Sequence, residues 1–348
     1  MRYYNFDVAK FFVMLMVIAG HLTGNMIVGN SMPQWYSNFN IGVAMPLFFI
    51  ISGYFAERSF GRGLYRIISR IVGFLWPVAV FGLIFGVILL AVGKISIYKA
   101  LLYPIARVYS GSWFLLTLAL LYAIAAIVWN LASRTISRLL ITLAIYVLLF
   151  FTAEQGRISS MLKISYLLDM MPYFVFGLFL PYLKWHQKNI IAILSGIVFL
   201  LIVFLEGDIR TNGMGFYWVP KSWRIVVGDV HLLTCFFART LVGISGTVFI
   251  LWFLDRVISI LPMISRLSVL GTTTLGVYVI HEWPLVQIHK YFDIAPLSSV
   301  WQWPLTFALF SICHYMTVVI DSNRWLKFFF FGDEAWLAGV LEKGLRRK

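Results

Sequence analysis

MRYYNFDVAKFFVMLMVIAGH, residues 1–21, begins with a short polar segment and continues as an apolar run in which ten residues separate Lys10 from His21. The run extends over residues 8–27, long enough for a helix that crosses the ~30 Å hydrocarbon core of a bilayer. No small-residue cleavage site follows His21, so we expect an uncleaved first membrane helix and not a signal peptide.

The whole chain has the composition of an integral membrane protein. Of its 348 residues, 61% are hydrophobic and 12% charged, and the mean hydropathy is +0.88. Soluble domains are usually about 45–50% apolar and ~25% charged. The net charge of +14 is spread between apolar runs, which indicates membrane topology and argues against nucleic-acid binding. Cys235 and Cys313 lie far apart inside apolar runs and are expected to be packing residues.

Apolar runs along the chain predict an all-α polytopic membrane protein, a bundle of about ten transmembrane helices. The runs are 8–27, 39–56, 71–93, 113–131, 139–153, 166–183, 190–206, 234–254, 268–289 and 301–320. With the N-terminus inside, 18 of the 28 Lys and Arg fall on the cytoplasmic side and 9 on the outer side. This bias predicts that both termini are cytoplasmic. We expect a membrane domain over residues 1–320 and an amphipathic, basic cytoplasmic tail over 321–348.

Polar residues inside these runs are the candidate functional residues, because charges at membrane depth cost several kcal/mol unless they are paired or hydrated. On a helix, Lys10 and His21 differ by about 20° after full turns and are separated by about 16 Å along the axis. Asp7 lies on the same face. The first helix is therefore predicted to carry a polar stripe from the inner surface to mid-membrane, of the kind that lines a cavity.

A second cluster is basic and lies in residues 57–77, ERSFGRGLYRIISRIVGFLWP, where arginines recur at every fourth position. On a helix they would form one ridge at the inner surface: Arg58, Arg62, Arg66 and Arg70. The ridge is either a topology determinant facing anionic headgroups or a clamp for phosphate oxygens, which the planar guanidinium suits.

Three further candidate sites lie at the ends of apolar runs or a few residues inside them. Trp113 begins a run at the outer interface, where aromatic belt residues are common. Arg239 lies inside the run that follows GDVHLL, residues 228–233, and clusters with Asp229 and His231. At this depth it needs a carboxylate, a carbonyl or a ligand as partner. His281 and Glu282 lie towards the outer end of the ninth run, where packing or capping is as plausible as function. No metal-ligand spacing, P-loop or GxGxxG motif occurs.

Five segments, in this order, resemble one protein family. Its first-helix signature is a basic residue followed after ten residues by His, here Lys10 and His21. The others are MPLFFIISGYF at 45–55, RIISRIVGFLWP at 66–77, SWFLLTLALLY at 112–122 and TTTLGVYVIHEWP at 272–284. In RIISRIVGFLWP, the paired arginines are four residues apart, whereas a spacing of three is common in the family. Over about residues 1–320 the chain is similar to the acyltransferase 3 family of integral-membrane acyltransferases.

The resemblance implies transfer of an acyl group, usually acetyl from acetyl-CoA, to a hydroxyl of a cell-envelope glycan. O-antigen of lipopolysaccharide, capsule, exopolysaccharide and lipid-linked intermediates are all possible acceptors. It also implies a multi-pass protein of the bacterial inner membrane, here a stand-alone member, which uses no metal. The expected catalytic residues are His21, Arg239, His281 and Glu282, and the expected donor-binding residues are Lys10, Arg66, Arg70 and Trp113.

His21 is expected to act as a general base or to form a covalent acyl-histidine. Glu282 or Asp169 is a possible carboxylate partner, and Arg239 is expected to stabilise the oxyanion or to hold the acceptor. Aromatic residues of the 207–233 loop are expected to stack on sugar rings. The main alternative is a glycan or lipid transporter without acyl transfer, since transporters also carry charges at the midplane. A membrane sensor that keeps the bundle without catalysis is a second alternative.

Overall fold

Almost every described residue is helical, as expected of backbone in lipid, where only internal hydrogen bonds satisfy the N–H and C=O groups. The structure is a computed structural model that describes residues 4–24, 34–60, 64–106, 113–153, 164–183, 189–205, 228–291 and 296–332. No strand is present in these ranges. The predicted all-α class is therefore confirmed for the described part of the chain.

The first half of the chain contains seven α-helices among the described residues. They are α1 Tyr4–Gly24, α2 Gln34–Phe39, α3 Met45–Phe60, α4 Leu64–Ala91, α5 Ile97–Ala106, α6 Trp113–Leu131 and α7 Thr135–Ala153. A π-helix, Asn40–Ala44, joins α2 to α3.

The second half of the described chain continues with α8 Ile164–Phe179, α9 Asn189–Leu205, α10 Gly228–Ile260, α11 Ser268–Thr272, α12 Thr274–Tyr291, α13 Gln302–Ser322 and α14 Arg324–Phe331. Short 3₁₀ turns lie at Leu180–Leu183, Pro262–Leu267 and Ser299–Trp301.

Five of the described helices are long and apolar enough to cross a membrane, and one bent pair is a sixth candidate. The five are Tyr4–Thr23, Leu64–Ala91, Trp113–Leu131, Arg239–Ile260 and Ser299–Ser322. The bent pair is Pro262–Thr272 with Thr274–His281, which meet at 51°. Shorter apolar helices account for the other predicted runs: Gly42–Glu57, Thr135–Leu149, Tyr166–Tyr182 and Asn189–Phe204. The number of ten crossings and the cytoplasmic termini stay predictions.

The described residues divide into two compact units. In the first, Met1–Tyr54 with Pro172–His314, α1 packs against α10, α11, α12, the π-helix and the 3₁₀ turn Pro262–Leu267. The π-helix also contacts α10, and α9 packs along α10. The candidate residues of the first helix therefore lie on the element with the most neighbours in this unit.

The second unit, Phe55–Met171 with Tyr315–Lys348, is organised around α4. This helix packs against α5, α6 and α14, and α6 packs against α7. The sequence predicted neither α5 nor α14 as a helix. α14 is capped by Asn323, whose side chain accepts from the N–H groups of Trp325 and Leu326, and its last turn is held by a bond from Trp76 Nε1 to the Phe329 carbonyl at 2.9 Å.

The predicted ridge of four arginines stays a prediction. Arg58 belongs to α3, whereas Arg66 and Arg70 belong to α4, and Arg62 lies outside the described residues. The loop 207–227 and the tail beyond residue 332 also lie outside the described residues.

Two glycines allow α3 and α8 to cross with their backbones in contact. A Cβ on Gly53 would collide with the Phe174 carbonyl, and a Cβ on Gly177 would collide with the Ile50 carbonyl. Small residues at such crossings are typical of membrane helices, where van der Waals contact replaces the hydrophobic effect between helices. The Ser-Gly-Tyr of residues 52–54 thus has a packing role at Gly53.

We predict that Gly53→Ala and Gly177→Ala each lower the free energy of unfolding by about 1–3 kcal/mol, because the added methyl group meets backbone that cannot rotate away. Thermal unfolding in detergent measures the effect. Gly42→Ala is the matched control, since the nearest atom to its Cβ is a methyl group of Val242. Equal melting temperatures for all three variants and the wild type would show that the crossing is looser than described.

Candidate functional site

The imidazole rings of His21 and His281 face each other in the first unit. Their ring centroids are 5.4 Å apart and the ring planes are inclined by 78°. His281 is completely buried, whereas His21 is partly buried. Two residues that are 260 positions apart, and that the sequence marked separately as polar groups at membrane depth, therefore meet at one place.

The hydrogen bonding of His281 fixes its tautomer. His281 Nδ1 lies 2.8 Å from the Val277 carbonyl, one turn earlier on α12. Because a carbonyl only accepts, Nδ1 carries the proton and donates it, and in the neutral ring Nε2 is then an acceptor. Among the described residues Nε2 has no hydrogen-bond partner. A buried acceptor of this kind is costly unless a donor reaches it, which makes Nε2 a candidate contact for a protonated partner.

Lys10 and Asp7 form an ion pair at the start of α1, with 2.7 Å between Lys10 Nζ and Asp7 Oδ1. Both side chains are mostly buried, with exposed fractions of 21% and 14%. α1 is continuous from Tyr4 to Gly24, so Lys10 and His21 do lie on one helix with the predicted rise of about 16 Å. Met14 and Val17, which lie between them on this face, are both buried.

The bent pair α11–α12 runs beside α1 and positions His281. Gly271 of α11 lies so close to α1 that a Cβ there would collide with the Asp7 backbone carbonyl. From this contact α12 continues along α1 to His281 opposite His21. At the break, Thr273 Oγ1 is 2.7 Å from His314 Nδ1 of α13. The Asp7–Lys10 pair and the two facing histidines are thus linked by one pair of packed helices.

Gln302, the first residue of α13, was missed by the sequence analysis. Its side chain is buried and Nε2 donates to the Ala19 carbonyl at 3.2 Å and to Thr23 Oγ1 at 2.8 Å. These two acceptors lie two residues on either side of His21, so the amide holds the α1 turn that carries the histidine. The signal available in the sequence was a glutamine inside the apolar segment WQWP, residues 301–304.

The π-helix and α2 complete the surroundings of this turn. A Cβ on Gly20 would collide with the Asn40 side-chain amide, so Asn40 of the π-helix lies directly over the residue before His21. The Tyr36 hydroxyl donates to the Met16 carbonyl at 3.0 Å. Burial raises the pKa of Tyr36, so this phenol stays protonated as a donor. Single-turn π-helices occur frequently at functional sites.

Arg239 belongs to α10, which packs against α1. Its backbone carbonyl accepts from the buried Tyr173 hydroxyl at 3.0 Å. Tyr173 lies across Gly243, where a Cβ would come within 2.5 Å of the tyrosine ring. Arg239 is therefore anchored through its backbone in the same unit as the two histidines, and its side chain is partly buried.

The other predicted site residues lie in the second unit, or their side chains lie outside the described residues. Glu282 follows His281 on α12, and Asp229 and His231 lie on α10, but the side chains of all three are outside the described residues. Three donor-binding candidates belong to the second unit: Arg66, Arg70 and Trp113.

These three residues have different surroundings. Arg66 is exposed, Arg70 Cζ lies 5.6 Å from the Phe74 ring centroid, and Trp113 is the first residue of α6 and stacks on Tyr166 at 4.6 Å. Asp169 is buried in this unit. Within the described residues no group of three His, Cys, Asp or Glu could hold a metal ion.

Comparison with known proteins gives one finding. A family model described as an acyltransferase domain matches residues 3–318, which is nearly the whole chain. The chain matches no curated protein and no solved structure.

We predict that Gln302→Leu, which removes both donated hydrogen bonds at similar volume, lowers the free energy of unfolding by about 1–3 kcal/mol because two hydrogen bonds to the His21 turn are lost and the Ala19 carbonyl keeps only its side-chain bond from Thr23. A double-mutant cycle with Thr23→Val, measured by thermal unfolding, is expected to show coupling between the two positions. Strictly additive effects would mean that the Gln302–Thr23 bond does not support the His21 turn.

Proposed function

The chain belongs to the acyltransferase 3 family, and on that premise we propose that it moves an acetyl group from acetyl-CoA to a hydroxyl of a cell-envelope glycan. The family match makes it a membrane acyltransferase. The acetyl donor, the glycan acceptor and the bacterial inner membrane as its location are parts of the proposal. The observation that supports it most directly is the pair of facing imidazoles, His21 and His281.

His21 is the proposed general base. An imidazole both accepts and returns a proton near neutral pH. In direct transfer, His21 takes the proton of the sugar hydroxyl, and the oxygen attacks the thioester carbonyl. The tetrahedral intermediate then expels the CoA thiolate, which takes the proton back from the imidazolium. Atoms and charge balance without a further reactant.

His281 is the proposed positioning residue for His21. Its Nδ1–H is held by the Val277 carbonyl, so Nε2 is an oriented acceptor on a ring whose centroid lies 5.4 Å from that of His21. In this proposal one ring nitrogen of His21 carries a proton and donates it to His281 Nε2. The other ring nitrogen of His21 is then unprotonated and acts as the base, as in catalytic sites where a neighbouring side chain orients the base. Arg239 is proposed to stabilise the oxyanion or to hold the acceptor, and Glu282 stays a predicted member of the site.

A covalent acyl-histidine is the second route for the same residues. Here the His21 nitrogen attacks the thioester, CoA leaves as the thiol, and the sugar hydroxyl takes the acyl group in a second step. The two routes differ in one measurable property. Only the covalent route exchanges labelled CoA into acetyl-CoA when no acceptor is present.

Acetyl-CoA is proposed to enter from the cytosolic side of the membrane, which is the side where the sequence predicts most Lys and Arg residues. Its phosphates would bind Arg66 and Arg70, whose guanidinium groups suit phosphate oxygens; Lys10 and Trp113 stay predicted donor contacts. The pantetheine arm is comparable in length to the Lys10–His21 rise of about 16 Å. Because Met14 and Val17 are buried on this face, entry along it requires their packing to open.

We predict that His21→Ala lowers the rate of acetyl transfer by about 10²–10⁴-fold, the usual contribution of a general base. Acetyl-CoA consumption by purified protein and mass spectrometry of surface glycans from expressing cells measure it. His186→Ala is the matched control, since His186 lies between Lys184 and Lys188 in a predicted loop. Full activity of a normally expressed His21→Ala protein would end the assignment of the base. Absence of any acetyl-CoA consumption by the wild type would favour the transporter.

His281→Gln is expected to lower kcat while leaving KM for acetyl-CoA nearly unchanged, because His281 acts through His21 and not on the donor. Steady-state kinetics at several pH values separates this from a folding defect, which would reduce the amount of active protein without changing the pH profile. An unchanged kcat and pH profile would remove His281 from the mechanism.

Replacing Arg66 and Arg70 together by alanine is expected to raise KM for acetyl-CoA by about tenfold or more, since hydrogen bonds to charged groups are each worth about 1.5–3 kcal/mol. The effect on kcat is expected to be smaller. Lys94→Ala with Lys99→Ala is the control for loss of two charges at another part of the same unit. An unchanged KM for acetyl-CoA would show that Arg66 and Arg70 do not bind the phosphates of the donor.

A further inference from the structure

A continuous series of aromatic rings connects two arginines in the second unit. From Arg70 it runs through Phe74, Tyr122, Phe60 and Trp129 to Arg138, with ring centroids 5.2–6.0 Å apart. The guanidinium carbons lie 5.6 Å from the Phe74 centroid at one end and 4.5 Å from the Trp129 centroid at the other. The two arginines therefore lie at the same end of the packed pair α4–α6.

Arg138 is held in place from two sides. Its Nε–H donates to the Ala132 carbonyl at 2.9 Å, and its guanidinium stacks on Trp129. Within the described residues its two terminal nitrogens make no hydrogen bond or ion pair. A guanidinium that is already oriented loses little conformational entropy when it binds an anion, and its free edge has the fork geometry that suits phosphate.

The charge around Arg138 is unbalanced within its own segment. Residues 58–153 contain nine Lys and Arg and no Asp or Glu. Five of the nine belong to described segments at or next to this end of the α4–α6 pair: Arg58 of α3, Arg66 and Arg70 of α4, Arg134, and Arg138 of α7. The Arg66 side chain is exposed and, like the terminal nitrogens of Arg138, makes no hydrogen bond or ion pair in the described part of the chain. This concentration of positive charge favours a ligand with several negative charges.

We propose that Arg138, supported by Trp129, binds a phosphate of the nucleotide end of the acyl-CoA donor. This inference rests on the proposed function, and it adds a contact that neither the motifs nor the family match assigns. The nucleotide end of CoA carries a diphosphate and a separate phosphomonoester, so one pair of arginines does not contact all of its charge. The end of the unit concerned is the one that the charge bias predicts to be cytosolic, where CoA is available.

The test is equilibrium binding of labelled CoA to purified full-length protein in nanodiscs, which needs no knowledge of the acceptor. Arg138→Ala is expected to weaken CoA binding by about tenfold and to weaken competition by adenosine 3′,5′-bisphosphate in parallel. Competition by pantetheine, which lacks the nucleotide, is expected to stay unchanged. Arg138→Lys keeps the charge without the fork and is expected to be intermediate. Lys99→Ala is the matched control, an exposed cation on α5 of the same unit that lies outside this arginine cluster, with binding expected to stay within about twofold.

Lipid headgroups are the other source of phosphate, and the same experiment separates them. In nanodiscs of phosphatidylcholine alone, the Arg138→Ala effect on CoA binding is expected to persist. An effect that appears only with phosphatidylglycerol present would overturn the proposal in favour of a lipid contact. Wild-type and Arg138→Ala proteins with equal CoA affinity would overturn this inference alone. A wild type that binds no CoA would overturn both this inference and the proposed function.

Discussion

Contact between α1 and the bent pair α11–α12 is the constraint on which the candidate site depends. The backbones meet where Gly271 packs against the Asp7 carbonyl, which leaves no room for a Cβ. Because α1 is one continuous helix and α12 packs against it after the bend at Thr273, this contact influences which residues face each other further along. His281 consequently lies opposite His21, and a change of register between the two elements would separate the rings.

Close backbone contact is repeated elsewhere in the first unit. Gly53 and Gly177 allow α3 to cross α8, and Gly243 makes room for Tyr173, whose hydroxyl bonds to the Arg239 carbonyl. In lipid the hydrophobic effect does not distinguish helix–helix from helix–lipid contact, so tight van der Waals packing and interhelical hydrogen bonds provide the specificity. The histidine pair is thus held by a scaffold whose precision comes from small residues, not from large apolar ones.

Polar groups in this scaffold bond mostly to backbone carbonyls. Gln302 donates to Ala19, Tyr36 to Met16 and His281 to Val277. A side chain tied to a helix carbonyl is oriented without introducing a second buried charge, which would cost several kcal/mol in the membrane. The Asp7–Lys10 pair follows the same logic, since each charge neutralises the other at the start of α1.

The sequence by itself determined the class of fold and most helices, because an apolar run in lipid has no alternative to a helix. It also determined that Lys10 and His21 share one face of α1, since helical periodicity is local. It did not show that Arg58 belongs to α3 whereas Arg66 and Arg70 belong to α4. Only the tertiary structure decided that His281 faces His21, that Gln302 supports the turn beside it, and that Arg138 stacks on Trp129. Each of these depends on which helices pack together and in which register, and that choice is made by contacts between residues that no periodicity connects.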